Sequence, residues 1–173
     1  MYFSKIAVVL SLAASAFAAP TGDASQKQKR ALTFQTYNDF QISDGTAGNA
    51  LAEAQAAFPV DADLANVSAG DLAIIQAARE TAEAAETDGF NDAVDAASGD
   101  AATALQNGKI KNKVLKLYLE TTGLQIQQAQ GDDNQDDIDA EQKKLNTNIA
   151  LDQKAAGQAS QSVSFTGDVQ PGN

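Results

Sequence analysis

Small and apolar residues recur at helical spacing over most of the chain and predict a series of amphipathic helices. The first predicted helix covers residues 46–58 and should end near Ala57, because a proline restricts the residue before it to extended conformations. Ser68 stands three residues before Asp71, a pattern typical of a helix start, and the second helix should run to about Thr87. The apolar positions of the two stripes are Ala47, Leu51, Ala54 and Phe58, then Leu72, Ile75, Ala78, Ala82 and Ala85.

The centre of the chain contains the longest helical pattern. Asp88-Gly89 should end the second helix, and a shorter helix should follow it as far as Ser98-Gly99. Residues 101–106 predict one further turn that ends before Asn107-Gly108, and residues 109–130 predict the longest helix. Four lysines crowd the first turns of that helix, where positive charge opposes the helix dipole. An earlier start, within residues 101–106, would place these lysines in the middle of the helix instead.

The two ends of the sequence show weaker patterns. A last helix follows Gly131, with acidic residues in its first turn, and should end near Gly157. Residues that share one side of this helix are Ile138, Leu145, Ile149 and Asp152. Residues 159–173 predict a flexible tail with Val163 and Phe165 as its anchors. The aromatic segment at residues 31–43 fits either a strand or a helix.

Taken together, these patterns predict an all-α fold. We expect a compact bundle of four to five amphipathic helices in a domain spanning residues 31–158. An extended N-terminal segment and a flexible C-terminal tail should flank the bundle.

The first thirty residues have the features of a secretory leader. Lys5 precedes an apolar run at residues 6–14, and Ala16-Phe17-Ala18 supplies small residues for cleavage. The apolar run is shorter than the roughly 20 residues that span a bilayer. We therefore expect a signal peptide over residues 1–18 and a propeptide over residues 19–30 that ends at the dibasic processing site Lys29-Arg30. The protein is predicted to be secreted, with no membrane anchor in its mature form.

Composition narrows the chemistry of the predicted mature chain, residues 31–173. Without Lys5, Lys27, Lys29, Arg30 and Asp23, it keeps 8 basic and 22 acidic residues and a formal charge of −14. Such a charge disfavours nucleic acid, which proteins bind through Lys and Arg, and it favours solubility. The sequence has no Cys, no His and no Trp, which excludes thiolate zinc sites, thiol nucleophiles and Ser-His-Asp catalysis. No cofactor is predicted.

The acidic run at residues 132–139 is a candidate metal site whose pattern departs from a calcium loop. Such a loop needs oxygen ligands at positions 1, 3, 5 and 12 and a glycine at position 6. Counted from Asp132, Asn134 and Asp136 fit, but Asp137 replaces the glycine and Lys143 replaces the last acid. We predict no metal site and interpret the run as an acidic helix start.

Paired carboxylates could hydrolyse glycosides without His or Cys. Sugar sites usually add aromatic platforms, and the chain has no Trp. A helical bundle of this size also rarely offers a deep cleft. The prediction is therefore that the protein has no catalytic residues and is not an enzyme. The carboxylates considered for such a pair are Asp39, Asp44, Glu53, Asp61 and Asp63.

Two further clusters fit either a binding role or a structural one. Four lysines could bind a polyanion or an acidic wall polymer, or could form a solvated face that pairs with the protein's own acids. They are Lys109, Lys111, Lys113 and Lys116. The aromatic residues could line a ligand pocket, although packing in the core is their ordinary role. They are Phe34, Tyr37, Phe40, Phe58, Phe90, Tyr118 and Phe165.

Asn66-Val67-Ser68 is an acceptor sequence for N-glycosylation. It lies in the connector expected between the first two helices, where Asn66 should be exposed. Ser68 is also the predicted cap of the second helix, and that competing role counts against a glycan at Asn66.

The run from Tyr37 to Ala50, YNDFQISDGTAGNA, and the later Phe58-Pro59-Val60-Asp61 resemble the conidial cell-wall proteins, a group of small secreted proteins of filamentous fungi. The leader that ends at Lys29-Arg30 also resembles those of fungal secreted proteins. The resemblance supplies no active-site residues. It implies an extracellular or wall-associated protein, in a surface layer that limits recognition of spores by a host and so contributes to virulence.

The function predicted from the sequence is a non-enzymatic secreted surface or cell-wall protein. Its expected partners are a cell-wall polysaccharide or a wall protein. The alternative is a secreted binding module or effector that carries a small apolar ligand or engages a host protein.

Overall fold

The computed structural model describes residues 31–172, and helices dominate this range, which confirms the predicted all-α fold. The predicted signal peptide, the propeptide and the processing site Lys29-Arg30 lie outside the described residues. The helices are α1 (Tyr37–Phe40), α2 (Ala50–Ala57), α3 (Ala69–Ala85), α4 (Asn91–Ala96), α5 (Gly99–Ala129) and α6 (Gln135–Lys154). Two short strands, β1 (Gly45–Thr46) and β2 (Ala159–Ser160), pair antiparallel.

The longest helix, α5, lies at the centre of the bundle. It packs against α2, α3, α4, α6 and β2. The neighbouring helices α2 and α3 present many alanines to it, and such small side chains allow helices to approach closely. Larger side chains fill the space between them, and those of the core that are fully buried include Tyr37, Ile75, Phe90, Val114, Leu115 and Ile126. Among the helices formed by residues 31–172, none combines the length and the apolar character needed to cross a membrane.

The start of the first predicted helix was wrong, but its end at Ala57 is confirmed. Thr46 belongs to β1, and Gly48 has a backbone φ of +118°, a left-handed conformation that interrupts a helix. Helix α2 therefore begins four residues later than predicted, at Ala50.

The start of α3 follows the prediction, whereas its predicted end at Asp88-Gly89 is wrong. The Ser68 hydroxyl oxygen accepts a hydrogen bond from the Asp71 backbone N–H at 3.0 Å and caps the helix. At its other end the chain continues through a π-helical turn, Glu86–Phe90, directly into α4. Gly89 keeps a helical backbone rather than the left-handed one with which many helices end. Its missing side chain instead leaves room for the tail, because a Cβ there would lie 3.0 Å from Val163 Cγ2.

Helix α5 begins at Gly99 and passes through Asn107 and Gly108 without a break. The turn predicted before Asn107-Gly108 is therefore wrong, and the alternative of an earlier helix start is confirmed. The lysines consequently lie in the middle of α5, away from its positive end. Gly108 permits a close crossing, because a Cβ at this position would overlap the Gln161 carbonyl oxygen.

The two terminal segments meet on one side of α5 and form a unit that we call the terminal clasp, residues 31–48 and 158–169. Gly45 pairs with Ser160 and Thr46 with Ala159 between its strands. The aromatic segment whose conformation the sequence left open is mostly extended, with the single turn α1. Val163 and Phe165 pack against the core, as predicted for the anchors of the tail.

The tail also makes polar contacts that the sequence did not predict. The Asp168 carboxylate accepts a hydrogen bond from the Tyr37 backbone N–H at 2.6 Å. The backbone N–H of Val169 donates to the Thr81 hydroxyl at 2.9 Å. Although the tail has almost no regular structure, it follows the surface of the bundle as far as Val169.

Candidate functional site

The structure buries one member of the lysine cluster completely. Lys111 extends from α5 with about 1% of its side chain exposed. Its Nζ donates to the carbonyl oxygens of Asp44 at 2.9 Å and Thr46 at 3.2 Å, and it lies 2.8 Å from Glu53 Oε2. A buried ammonium group requires such partners, because leaving it unpaired would cost several kcal/mol. Lys111 therefore joins β1 and α2 to the central helix.

A second charged group joins α5 to the end of α3. Glu86 opens the π-helical turn and accepts hydrogen bonds from Lys113 Nζ at 2.9 Å and Lys116 Nζ at 3.0 Å. Lys116 also lies 3.0 Å from Glu83 Oε2. Burial tends to raise the pKa of Glu86, but the hydrogen bonds and charges of the two lysines outweigh it and hold the pKa below the ordinary value.

Despite burial, the pKa of Lys116 is raised, because the same ion pairs that favour the charged form of Glu86 also favour the charged form of this lysine. Burial tends to lower it, but the hydrogen bonds to Glu86 and Glu83 and their negative charges raise it above the ordinary value. Lys111, Lys113 and Lys116 thus pair with the protein's own acids, which confirms the predicted pairing for these three. The predicted solvated face is wrong for Lys111, because its partners on the backbone and on α2 enclose its side chain. The fourth lysine, Lys109, is half-buried and forms no ion pair within residues 31–172.

The most important buried acid lies outside the sites predicted from the sequence. Asp152 of α6 is about 2% exposed, and its two carboxylate oxygens accept hydrogen bonds from the Gly48 and Ala50 backbone N–H groups, both at 2.9 Å. These N–H groups lie at the start of α2, so Asp152 caps that helix from a different part of the chain. The one indication in the sequence that Asp152 is buried is its position on the apolar side of the last helix.

The five carboxylates considered for glycoside hydrolysis all take part in contacts that hold the chain. Glu53 pairs with Lys111, and Asp44 accepts hydrogen bonds from the Gln41 amide at 2.7 Å and the Ser162 backbone N–H at 2.9 Å. The other three accept hydrogen bonds from residues two or three positions away and stabilise local turns. They are Asp39 with Thr36, Asp61 with Asp63, and Asp63 with Asn66.

The acidic run at residues 132–139 leads into α6 as predicted. Asp136 and Asp137 lie in its first turn, where negative charge is favourable to the helix dipole. In the part of the chain that the structure describes, no group of three or more His, Cys, Asp and Glu residues is arranged to hold a metal ion.

The aromatic side chains mostly pack on one another rather than around an open pocket. Tyr37 makes edge-to-face contacts with Phe40 and Phe165, with ring centroids 5.5 and 5.7 Å apart, and Phe40 makes one with Phe58 at 5.4 Å. Next to these rings, Phe34, the most exposed of the seven, borders a gap of about 10 Å³. A gap of that size is about the smallest that holds one water molecule.

The hydroxyl groups of Tyr37 and Tyr118 form hydrogen bonds that link different helices, one through a side chain and one directly to a backbone carbonyl oxygen. The Tyr37 hydroxyl donates to Asn112 Oδ1 at 2.9 Å, and the Asn112 amide in turn donates to the Ala82 carbonyl oxygen. Burial raises the pKa of Tyr37 to about 12. The Tyr118 hydroxyl donates to the Phe58 carbonyl oxygen at 3.1 Å.

The structure places the predicted glycosylation site on an exposed turn. Asn66 is exposed and is the last residue of a 3₁₀-helical turn, Leu64–Asn66, between α2 and α3. Its amide nitrogen donates to Asp63 Oδ2 at 2.8 Å. Ser68, the third residue of the sequon, is the cap of α3 as predicted.

Residues 32–164 of the chain match a known protein family described as Domain of unknown function (DUF8454), and the chain belongs to this family. No curated protein matches the chain. No solved structure matches it either.

Proposed function

We propose that this member of the DUF8454 family is a secreted, non-enzymatic surface or cell-wall protein of a filamentous fungus. The observation that carries the proposal is the use of the buried charges. Lys111, Asp152 and Glu86 each hold two or more parts of the chain together through short polar contacts. A catalytic acid or base has to reach the substrate with its side chain, and these three are committed to the fold instead.

The leader of the sequence supports export to the outside of the cell. The leader has the charged start, apolar run and small residues of a signal peptide, and it is followed by the dibasic pair Lys29-Arg30. The chain also lacks cysteine, so its stability does not depend on the redox state of its compartment. Buried ion pairs and the terminal clasp supply links between distant segments where many small secreted proteins use disulfides.

The proposed place of action is the wall of spores or hyphae. The resemblance of residues 37–50 to conidial cell-wall proteins supports this location. The expected partner is a wall polysaccharide or another wall protein, and the proposed effect is to limit recognition of the spore by a host. A formal charge of −14 on the predicted mature chain favours partners that carry basic groups.

Fractionation of the producing cells tests the proposal. Spore and hyphal walls are extracted with salt and then with detergent, and the protein in each extract, in the cytosol and in the culture filtrate is quantified with an antibody. We expect the protein in the wall extracts. Protein found only in the filtrate would contradict the wall location, and protein confined to the cytosol would contradict secretion.

The processing site has its own test. Replacing Lys29 and Arg30 together with alanine should leave an uncut pro-form outside the cell, because the protease loses its dibasic recognition site. N-terminal sequencing of the exported variant measures this. A sequence that still starts at Ala31 would show that cleavage does not depend on the dibasic pair.

The carrier alternative can be tested on the same extracts. A carrier of a small apolar ligand needs an apolar cavity, whereas Phe40 and Phe58 here pack against each other beside a gap of about 10 Å³. Native mass spectrometry of the extracted protein should therefore give the mass of the chain without a lipid. A bound lipid would favour the carrier.

A further inference from the structure

The sequence contains one acceptor sequon for N-glycosylation, Asn66-Val67-Ser68, and the folded protein presents its acceptor residue to solvent. Asn66 ends the 3₁₀-helical turn and is exposed. The amide carries two hydrogens, and one is enough to keep the 2.8 Å hydrogen bond to Asp63 Oδ2. A sugar on the amide nitrogen is therefore compatible with the observed turn.

The residue after Asn66 fixes the turn to the body of the protein. Val67 is about 8% exposed, and its carbonyl oxygen accepts a hydrogen bond from the Gln130 amide at 2.9 Å, at the end of α5. The connector is thus anchored by Val67 while its neighbour Asn66 stays accessible. A glycan at Asn66 would stand on a fixed part of the surface without displacing core side chains.

Ser68 has two roles that do not operate at the same time. The sequon needs its hydroxyl while the sugar is transferred, and in the folded protein the same oxygen accepts the Asp71 N–H as the cap of α3. A sugar transferred while the chain is still entering the secretory pathway, before α3 is complete, does not meet this competition. The cap therefore does not prevent modification of a chain that is exported.

We propose that Asn66 carries an N-linked glycan, added during export by transfer from a polyprenyl-diphosphate oligosaccharide. The Asn66 amide nitrogen forms a bond to the anomeric carbon of the first sugar and loses one proton to the base of the transferase. The bond from that carbon to the diphosphate oxygen breaks, and the lipid diphosphate leaves with the electron pair. The inference rests on the proposed secretion, because the transferase acts in the secretory pathway.

The test expresses the full chain in a fungal secretory host and compares four proteins. Digestion with peptide N-glycosidase should increase the gel mobility of the wild type and of Ser68→Thr, which keeps both the sequon and the cap. Asn66→Gln and Ser68→Asp should show no such shift. Ser68→Asp is the matched control, because aspartate caps a helix as serine does but does not complete a sequon.

Mass spectrometry of the digested wild type should then find aspartate at position 66, the product that the glycosidase leaves. An exported wild type with an unmodified Asn66 would overturn the inference and leave the proposed secretion intact. A wild type that is retained in the cytosol would overturn both. A shift in Asn66→Gln equal to that of the wild type would also overturn the inference, since the sugar would then be attached elsewhere.

Discussion

The terminal clasp and the helical bundle are stabilised by different kinds of contact. In the bundle, apolar stripes pack α3 and α6 against α5, and Ser68 caps α3 from three residues away. In the clasp, the partners lie far apart in the sequence, as in the hydrogen bonds from Tyr37 to Asp168 and from Ser160 to the Ser43 carbonyl oxygen.

The clasp also contacts α5 through single backbone atoms. The Gln161 N–H donates to the Ala104 carbonyl oxygen, and the Ala159 carbonyl oxygen accepts from the Asn107 amide. The clasp therefore depends on individual atoms of distant segments meeting, whereas the packing of the bundle depends on the pattern of apolar side chains.

Two glycines of α5 illustrate this difference. At Gly108 the Gln161 carbonyl of the clasp lies where a Cβ would be. At Gly123 a Cβ would lie 3.9 Å from Ile75 Cγ2 and Leu72 Cδ1, an ordinary contact between helices. Glycine is therefore required at Gly108, beneath the clasp, whereas alanine could replace it at Gly123, within the bundle.

Among the substitutions considered, Gly108→Val should lower the free energy of unfolding the most. The new side chain would overlap the Gln161 carbonyl, so the clasp must move away and lose the packing of Val163 and Phe165. We expect the free energy of unfolding to fall by about 3 kcal/mol or more. Urea denaturation followed by circular dichroism measures it.

Gly123→Ala is the control for that experiment. It should stabilise the protein by about 0.5–1 kcal/mol, because alanine has a higher helix propensity than glycine and its Cβ would make only ordinary van der Waals contacts. If both variants were equally stable, the close crossing at Gly108 would not be a constraint in solution.

The next largest effect is expected from Lys111→Met. Methionine keeps much of the volume of lysine but leaves the carbonyl oxygens of Asp44 and Thr46 without their donor. We expect a loss of about 2–4 kcal/mol in the free energy of unfolding. The matched variant is Lys113→Met, two residues along α5, whose partly exposed ion pair should cost no more than about 1 kcal/mol. Equal losses in the two variants would contradict the role given to Lys111.

Glu86→Gln, in the bundle, should lower the free energy of unfolding the least of the three destabilising substitutions Gly108→Val, Lys111→Met and Glu86→Gln. Because the pKa of Glu86 is lower in the folded protein than in the unfolded chain, its contribution is present above the ordinary value of 4.5 and is lost as the pH falls through the folded pKa. The variant should lose about 1 kcal/mol at neutral pH and less in acid. The measurement is the free energy of unfolding of the wild type and of Glu86→Gln at neutral pH and in acid. The difference between the two proteins should shrink as the pH falls.

Glu80→Gln serves as its control, because the Glu80 side chain is half exposed and pairs with Arg79 at the surface. The free energy of unfolding of this variant should change with pH as it does in the wild type. A Glu86→Gln loss that stayed constant down to low pH would show that charge does not explain the contribution of Glu86.

The sequence predicted those parts of the fold that depend on neighbouring residues. The cap at Ser68 and the end of α2 at Ala57 follow from short-range rules, and both are confirmed. The errors at Gly89 and Gly108 share one cause. The local sequence pattern predicts a helix end at each glycine, whereas in the structure the missing side chain admits a distant segment of the chain.

The charged contacts were harder to predict for a similar reason. Helical spacing placed Asp152 on the buried side of the last helix, but its partners at the start of α2 lie about a hundred residues earlier in the chain. The lysine cluster was recognised, and its position in the middle of α5 was one of two alternatives. Which acid pairs with which lysine depends on how α2 and α3 pack against α5, and no local pattern contains that information.

The position of Tyr37 gives the protein a built-in optical probe. The sequence has no tryptophan, and the predicted mature chain keeps Tyr37 and Tyr118 as its tyrosines. Tyr37 contacts Phe165 of the clasp, and burial raises its pKa to about 12. Ultraviolet absorbance of tyrosinate during an alkaline titration can therefore follow the release of the chain ends without any attached dye.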